Sequence, residues 1–220
     1  MFYDCNVVTD LDVSGFDTSN VQNMQYMFYR CRTLTDIDVS GFDTSKVTDM
    51  SSMFSCCYEL TDIDVSNFET SKVTNMNSMF MSCSKLHSID VSRWNTSKVT
   101  DMHSMFSSCS GLTNLDVGNF DTANVTDMQY LFYKCSGLTT LDLSSFNTSK
   151  VTNMFRMFTQ SSALTNIYVS ERWNTSAVTN SGEMFDECIS LPNYNASAVD
   201  KSKAHYNSGG YLTYKAAPTT

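Results

Sequence analysis

The sequence predicts a repeat solenoid with a single continuous core, built from one short-stranded coil per 26 residues. Three observations carry that expectation. The 220 residues fall into register in blocks of 26. Large apolar side chains return once per block in fixed columns, so they must stack on one another. Turn-forming Asp, Asn, Ser and Thr recur between them at constant offsets.

The elements follow in order. Residues 1–10 match the tail of a repeat, because MFYDC aligns with MFYRC, MFSCC, MFMSC and MFSSC. They are expected to be what remains of a truncated repeat, with Met1 in the repeat's own Met column and the chain cut from a longer array. Seven repeats fill 11–191. Leu11 opens LDVSGFDTSNVQNMQYMFYRCRTLTD and Ile37 opens IDVSGFDTSKVTDMSSMFSCCYELTD; the seventh, from Ile167, carries one extra residue in SERW. Residues 192–220 break the pattern and are expected to form a C-terminal cap, with AHY and YLTY as a hairpin around NSGG, and the start of a linker in KAAPTT.

Within a coil, LTDIDVS alternates apolar and polar residues and reads as a short strand with Ile and Val inward. FDTS supplies turn chemistry, VTDM reads as a second short strand, and SSMFSSC as a short helical turn. The inward columns are Phe28, Phe54, Phe80, Phe106, Phe132, Phe158 and Phe185; Phe16, Phe42, Phe68, Trp94, Phe120, Phe146 and Trp173; and two columns of Val.

Composition excludes several function classes. A net charge of −9 argues against nucleic acid and anionic membrane as partners, since both call for a basic face. No stretch reaches the ~18 apolar residues of a membrane span, so no membrane insertion is expected in these residues. His87, His103 and His205 stand in unrelated positions and assemble no catalytic constellation with Ser, Asp or Cys, so no enzyme and no cofactor are expected. Cys5, Cys31, Cys57, Cys83, Cys109, Cys135 and Cys188 share a column without any CxxC pair. They read as buried small hydrophobes, although stacked thiols come within disulfide reach; Cys56, outside the column, is expected to be the most exposed. The column Thr18, Thr44, Thr70, Thr96, Thr122, Thr148 and Thr175 reads as a hydroxyl satisfying a turn in every coil rather than as an array for ice or polysaccharide.

Taken together, L-T-x-L-D-V-S-x-F-D-T-S-x-V-T-x-M-x-x-M-F-x-x-C is similar to the repeat of the BspA-like bacterial surface proteins, a divergent leucine-rich-repeat group. The resemblance covers residues 1–191. It implies a leucine-rich-repeat-like solenoid on a bacterial cell surface or secreted from the cell, with adhesion or partner binding as its role. Ser161 in place of Cys, and Ser181 in place of Met, depart from the pattern.

Two outward features are candidates for function. Asp12, Asp38, Asp64, Asp90, Asp116 and Asp142 form an acid column, flanked by Asp10, Asp36 and Asp62. It reads as side chains bonded to neighbouring Ser or Thr, with a face for a basic partner or weak calcium sites between coils as the functional readings; no metal site is assigned. Around the MF pair the residues vary: Tyr26 and Tyr29, Ser52 and Ser55, Tyr130 and Tyr133, Phe155 and Arg156. Exposed aromatics beside Arg30, Arg32 or Lys134 have the composition of binding surfaces. The expected ligand contacts are Tyr26, Tyr29, Arg30, Tyr130, Tyr133, Lys134, Asp38 and Asp64. The expected function is a non-enzymatic surface binding or adhesion module for an extracellular protein or glycan; the alternative is a rigid spacer rod displaying another domain.

Overall fold

The computed structural model describes residues 2–218. Met1, and Thr219–Thr220 at the end of the expected linker, lie outside the described residues. Consecutive repeats rest on one another. Single parallel β-bridges join Asn23 to Asp49, Asp49 to Asn75, Asn75 to Asp101, and onward to Asn153 and Asn180. VTDM therefore meets its neighbours through one bridge per coil rather than through a strand.

Among the described residues, strands from LTDIDVS form in only two repeats: β1 (Thr140–Leu143) and β2 (Asn166–Val169), paired in parallel with Leu141 opposite Ile167. Earlier copies are looser. The N–H of Thr61 reaches Thr35 O at 3.2 Å and that of His87 reaches Thr61 O at 3.4 Å, whereas Thr165 N–H meets Thr139 O at 2.8 Å. The expectation of a strand in every coil is corrected, and charge supplies the physical reason. Asp38, Asp64 and Asp90 stack on successive coils, and like charges set directly opposite oppose pairing. In the seventh repeat Tyr168 faces Asp142 instead, and Lys215 binds that carboxylate.

The expected helical turn is a chain of reverse turns. In the second repeat Met53 N–H returns to Met50 O and Cys57 N–H to Phe54 O, with Ser52 (φ 55) and Cys56 (φ 63) in the left-handed region. Those are the marks of type II turns. The alternating N–H groups of Ser52, Phe54 and Cys56 point the other way, to the carbonyls of Asn77, Met79 and Met81 in the next coil. A helix would keep all its bonds to itself; this segment spends half of them tying coil to coil.

Phenylalanine fills the axis. Phe54 and Phe80 stack at 5.6 Å and 7°, Phe80 and Phe106 at 6.0 Å and 5°, and all three are fully buried. Beside them, Cys57 Sγ donates to Phe28 O at 3.2 Å and Cys109 Sγ to Phe80 O at 3.0 Å. Ser161 fits this column because its hydroxyl makes the same bond, to Phe132 O at 2.6 Å. Burial pushes the Cys31 thiol up to about 11 and the Cys109 thiol to about 12, so both stay protonated and inert near neutral pH. Cys56, expected at the surface, is buried at 7% exposure, with its Sγ 3.7 Å from the buried Ser55 Oγ.

The threonine column does more than satisfy its own turn. Thr70 Oγ1 accepts from Asn95 N–H at 2.7 Å and donates to Asn95 O at 3.0 Å, and Thr18 and Thr44 repeat the arrangement with Asp43 and Glu69. Thr148 does the same with Asn174, so these four hydroxyls are two-way staples to the next coil, while Thr96 and Thr122 donate to it.

At the C-terminal end a 3₁₀ turn, Lys201–Lys203, is capped by Asp200, and β3 (Thr213–Tyr214) adds in parallel to β2. The NSGG hairpin expected from sequence is thereby replaced. Tyr211 N–H bonds Lys203 O and Leu212 N–H bonds His205 O, but the strand pairs with the seventh repeat. Trp173 Nε1 donates to Ala204 O at 3.2 Å, fastening the tail over the last coil.

Candidate functional site

Two left-handed positions recur in the turn segment of each coil. One holds Tyr26, Ser52, Ser78, Ser104, Tyr130, Arg156 and Glu183; the other holds Asp4, Arg30, Cys56, Ser82, Ser108, Lys134, Gln160 and Glu187. Glycine occupies neither, although it alone adopts that conformation freely. A third column, two residues further on, holds Arg32, Tyr58, Ser84, Ser110 and Ser136.

Bulk is concentrated at two places four coils apart. At the first, Tyr26 and Tyr29 meet edge to face at 5.3 Å, Tyr3 lies 5.0 Å from Tyr29, and the Arg30 guanidinium sits 5.0 Å from the Tyr29 ring centre. At the second, Tyr130 and Tyr133 meet edge to face at 5.3 Å, Phe155 adds a third ring at 5.5 Å, and Lys134 lies 5.1 Å from Tyr133. Arg156 stacks on Phe155 and bonds Glu183 at 2.9 Å. The residues expected as ligand contacts near MF are thus brought together as two similar cation–aromatic clusters. Ser52 and Ser55, expected outward between them, are buried at 6% and 0% because their small side chains sink into the stack.

Large groups at both ends and small ones between leave a depression of ≈ 390 Å³, with Tyr58 at one end, Lys134 and Gln160 at the other, and Ser82, Ser84, Ser108 and Ser110 among its lining. Arg32 lies 5.8 Å from the Tyr58 ring centre. Sequence reasoning did not single out these serines, Tyr58 or Gln160. The signal available was that the columns of Arg30 and Arg32 both turn to serine in the third and fourth repeats, bounded by Tyr58 before and Lys134 after.

Asp38 and Asp64 belong to neither cluster. Each is exposed and accepts the N–H two residues on, from Ser40 and Ser66 respectively, at 2.9 Å. Hydrogen bonds from the side chain and backbone of those serines hold both carboxyls below their ordinary range. Among the described residues no three His, Cys, Asp or Glu side chains converge on a metal-binding geometry. One further charged contact lies beside the turn segment, where His103 Nδ1 meets Asp101 Oδ1 at 2.9 Å.

A family model described as "Mycoplasma protein of unknown function, DUF285" matches residues 1–113 and again residues 83–201. Two overlapping matches of one model fit a chain of repeats. No curated protein matches the chain, and no solved structure does.

Proposed function

The chain belongs to the family described as Mycoplasma protein of unknown function, DUF285, and from its own residues we propose that it is a non-enzymatic binding module, a leucine-rich-repeat-like solenoid of the BspA-like kind displayed on a bacterial cell surface. Coil-to-coil bonding at a constant offset supports the solenoid reading, and the recurring L-T-x-L-D-V-S…M-F-x-x-C pattern supports the likeness to BspA-like repeats.

One observation carries the binding reading. Tyr26, Tyr29 and Arg30 recur as Tyr130, Tyr133 and Lys134 at the same places of a rigid stack, part-exposed, with cations resting on rings. A rod that only spaces other domains has no need of a tyrosine at a strained, left-handed position paired with a second ring; an interface gains from rigid rings that lose little entropy on contact.

The left-handed backbone also supplies a clean test. Glycine fits these positions without strain, so Tyr26→Gly with Tyr130→Gly removes rings while leaving the fold its preferred conformation. The parent is expected to bind a discrete class of ligand on a panel of glycans and extracellular-matrix proteins, and the double variant to lose that binding while melting normally. Equal binding by the two proteins, or no binding by the parent, rejects the proposal.

A further inference from the structure

Resting on the binding reading above, we infer that the serine-lined depression between Tyr58 and Gln160 is a subsite for an acidic linear polysaccharide lying along the stack. Charge distribution is the first reason. The chain carries −9 overall, yet from Tyr29 to Gly137 the segments that follow each MF pair hold Arg30, Arg32 and Lys134 and one acid, Glu59, which Lys85 neutralises. A locally cationic strip on an acidic protein selects an anion by position.

Shape and chemistry narrow the class. Arg32 over Tyr58 closes one end and Lys134 over Tyr133 the other, three coils apart, a span of roughly 14 Å along the β spacing. A sugar ring stacks its C–H face on an aromatic ring, and the neighbouring cation then meets a carboxylate or sulfate. The floor is hydroxyl. Ser84 Oγ and Ser110 Oγ donate along the stack, to Tyr58 O and Ser84 O, which leaves their oxygens as acceptors facing the depression. At the Lys134 end, Gln160 Nε2 bonds Glu187 while Gln160 Oε1 is buried without a hydrogen-bond partner among the described residues. An unpaired buried acceptor is costly, so a Gln160 side chain that turns toward a bound sugar hydroxyl gains a partner it lacks in the free stack. Acidic peptides share the anionic groups but not the dense array of hydroxyl donors that this floor and Gln160 accept.

Hyaluronan and heparin oligosaccharides of graded length, with dextran as neutral control, test the inference by calorimetry on the intact chain. Binding is expected for the acidic series only, tightening about tenfold or more once the chain reaches both ends. Arg32→Gln and Lys134→Gln are each expected to abolish that length-dependent gain. Ser84→Trp is expected to block the depression, and is tolerated structurally because Tyr58 and Arg32 already occupy its column. Ser82→Gly with Ser108→Gly removes two hydroxyls at left-handed positions and is expected to weaken binding without lowering the melting point. Binding of matrix proteins but of neither acidic polysaccharide overturns this inference and leaves the binding module standing. Equal binding of dextran, or of Ser84→Trp, overturns it as well. No binding of any probe, protein or glycan, removes both.

Discussion

The ring of Tyr211 stands at 88° to that of Phe185, with centroids 5.3 Å apart. Along the stack every neighbouring pair of the MF column lies within 11° of parallel. A perpendicular ring covers the last phenylalanine but offers no parallel face for another. Its hydroxyl accepts from Asn195 N–H at 2.8 Å and donates to Ala198 O at 2.8 Å, so the same residue pins the tail. Tyr211 is what closes this end.

Tyr211→Ala is therefore expected to cost about 3–5 kcal/mol from lost transfer energy and the cavity left behind. Tyr211→Phe keeps the ring and strands the partners of the hydroxyl, at a cost of about 1–3 kcal/mol. Urea unfolding separates the two. Equal losses would mean that the ring matters little, and that the hydroxyl alone holds the tail.

Mid-stack, Phe80→Ala is expected to lose about 3–5 kcal/mol, since Phe80 is fully buried between Phe54 and Phe106 and against Trp94. In a stack whose coils touch only their neighbours, damage should stay local. Hydrogen exchange should quicken first in the second to fourth repeats, at the amides of Phe54, Phe80 and Phe106. Uniform acceleration from end to end would instead mark a single all-or-none unit.

Ser78 is buried at φ 54. A left-handed residue other than glycine costs roughly 1–2 kcal/mol, partly offset by the greater entropy that glycine loses on folding, roughly 0.5–1 kcal/mol. Ser78→Gly is expected to stabilise by up to about 1 kcal/mol. Ser78→Val, branched at Cβ, is expected to destabilise. Thermal melts that rank valine above glycine would contradict the left-handed assignment.

Those positions also mark where the sequence stopped being legible. The 26-residue period and the Phe column can be read from spacing alone, because burial forces identical residues to recur. The turns could not. A left-handed column ordinarily announces itself through glycine or asparagine, and here it is written in Tyr, Ser, Arg and Lys. SSMFSSC consequently mimicked a helical turn. The strands were over-read for another reason: alternation in LTDIDVS fixes which side chains point inward, but stacked aspartates decide whether the backbones close. As for the site, paired tyrosines stood out by bulk, while the depression between them is made by residues notable only for being small.

His103 and Asp101 set a pH dependence. The bond to the Asp101 carboxylate raises His103 above its ordinary 6.5 despite burial, and Asp127 adds to the effect. For Asp101, burial acts upward, but bonds from the His103 ring and backbone outweigh it and hold the carboxyl below 3.8. The His103 contribution is thus complete below about 6.5 and fades as pH rises through the raised value. The Asp101 contribution is present above 3.8 and fades as pH falls through the lowered one. An NMR titration should place His103 above 6.5, and Asp101→Asn should bring it back. Between pH 6.5 and 8 the melting point should decline slightly in the parent and stay level in His103→Gln. A parent His103 that titrates at or below 6.5 would refute the pairing.

The acid column gives the last expectation. Asp38 and Asp64 each cap the turn that follows through Oδ1, with Asp12 and Asp90 doing likewise on the coils beyond. An asparagine presents the same Oδ1 to the same N–H. Replacing both Asp38 and Asp64 by Asn therefore keeps the turns and removes repulsion between successive coils, and the variant should melt higher than the parent. The gain should shrink as salt rises, because exposed charges are screened over about 10 Å at 0.1 M. Below pH 4 it should widen. The lowered carboxyls contribute stability above their ordinary value and lose it as pH falls through the lowered one, so the parent is destabilised there while the Asn variant changes little. Millimolar calcium should leave the parent's melting point flat, since preferential binding to the folded state would need converging ligands that this one-dimensional column does not supply. A rise with calcium that vanishes in the double variant would show cations seated between the coils. A variant less stable than the parent at low salt would show that the carboxylates cap their turns better than asparagine does, by more than their mutual repulsion costs.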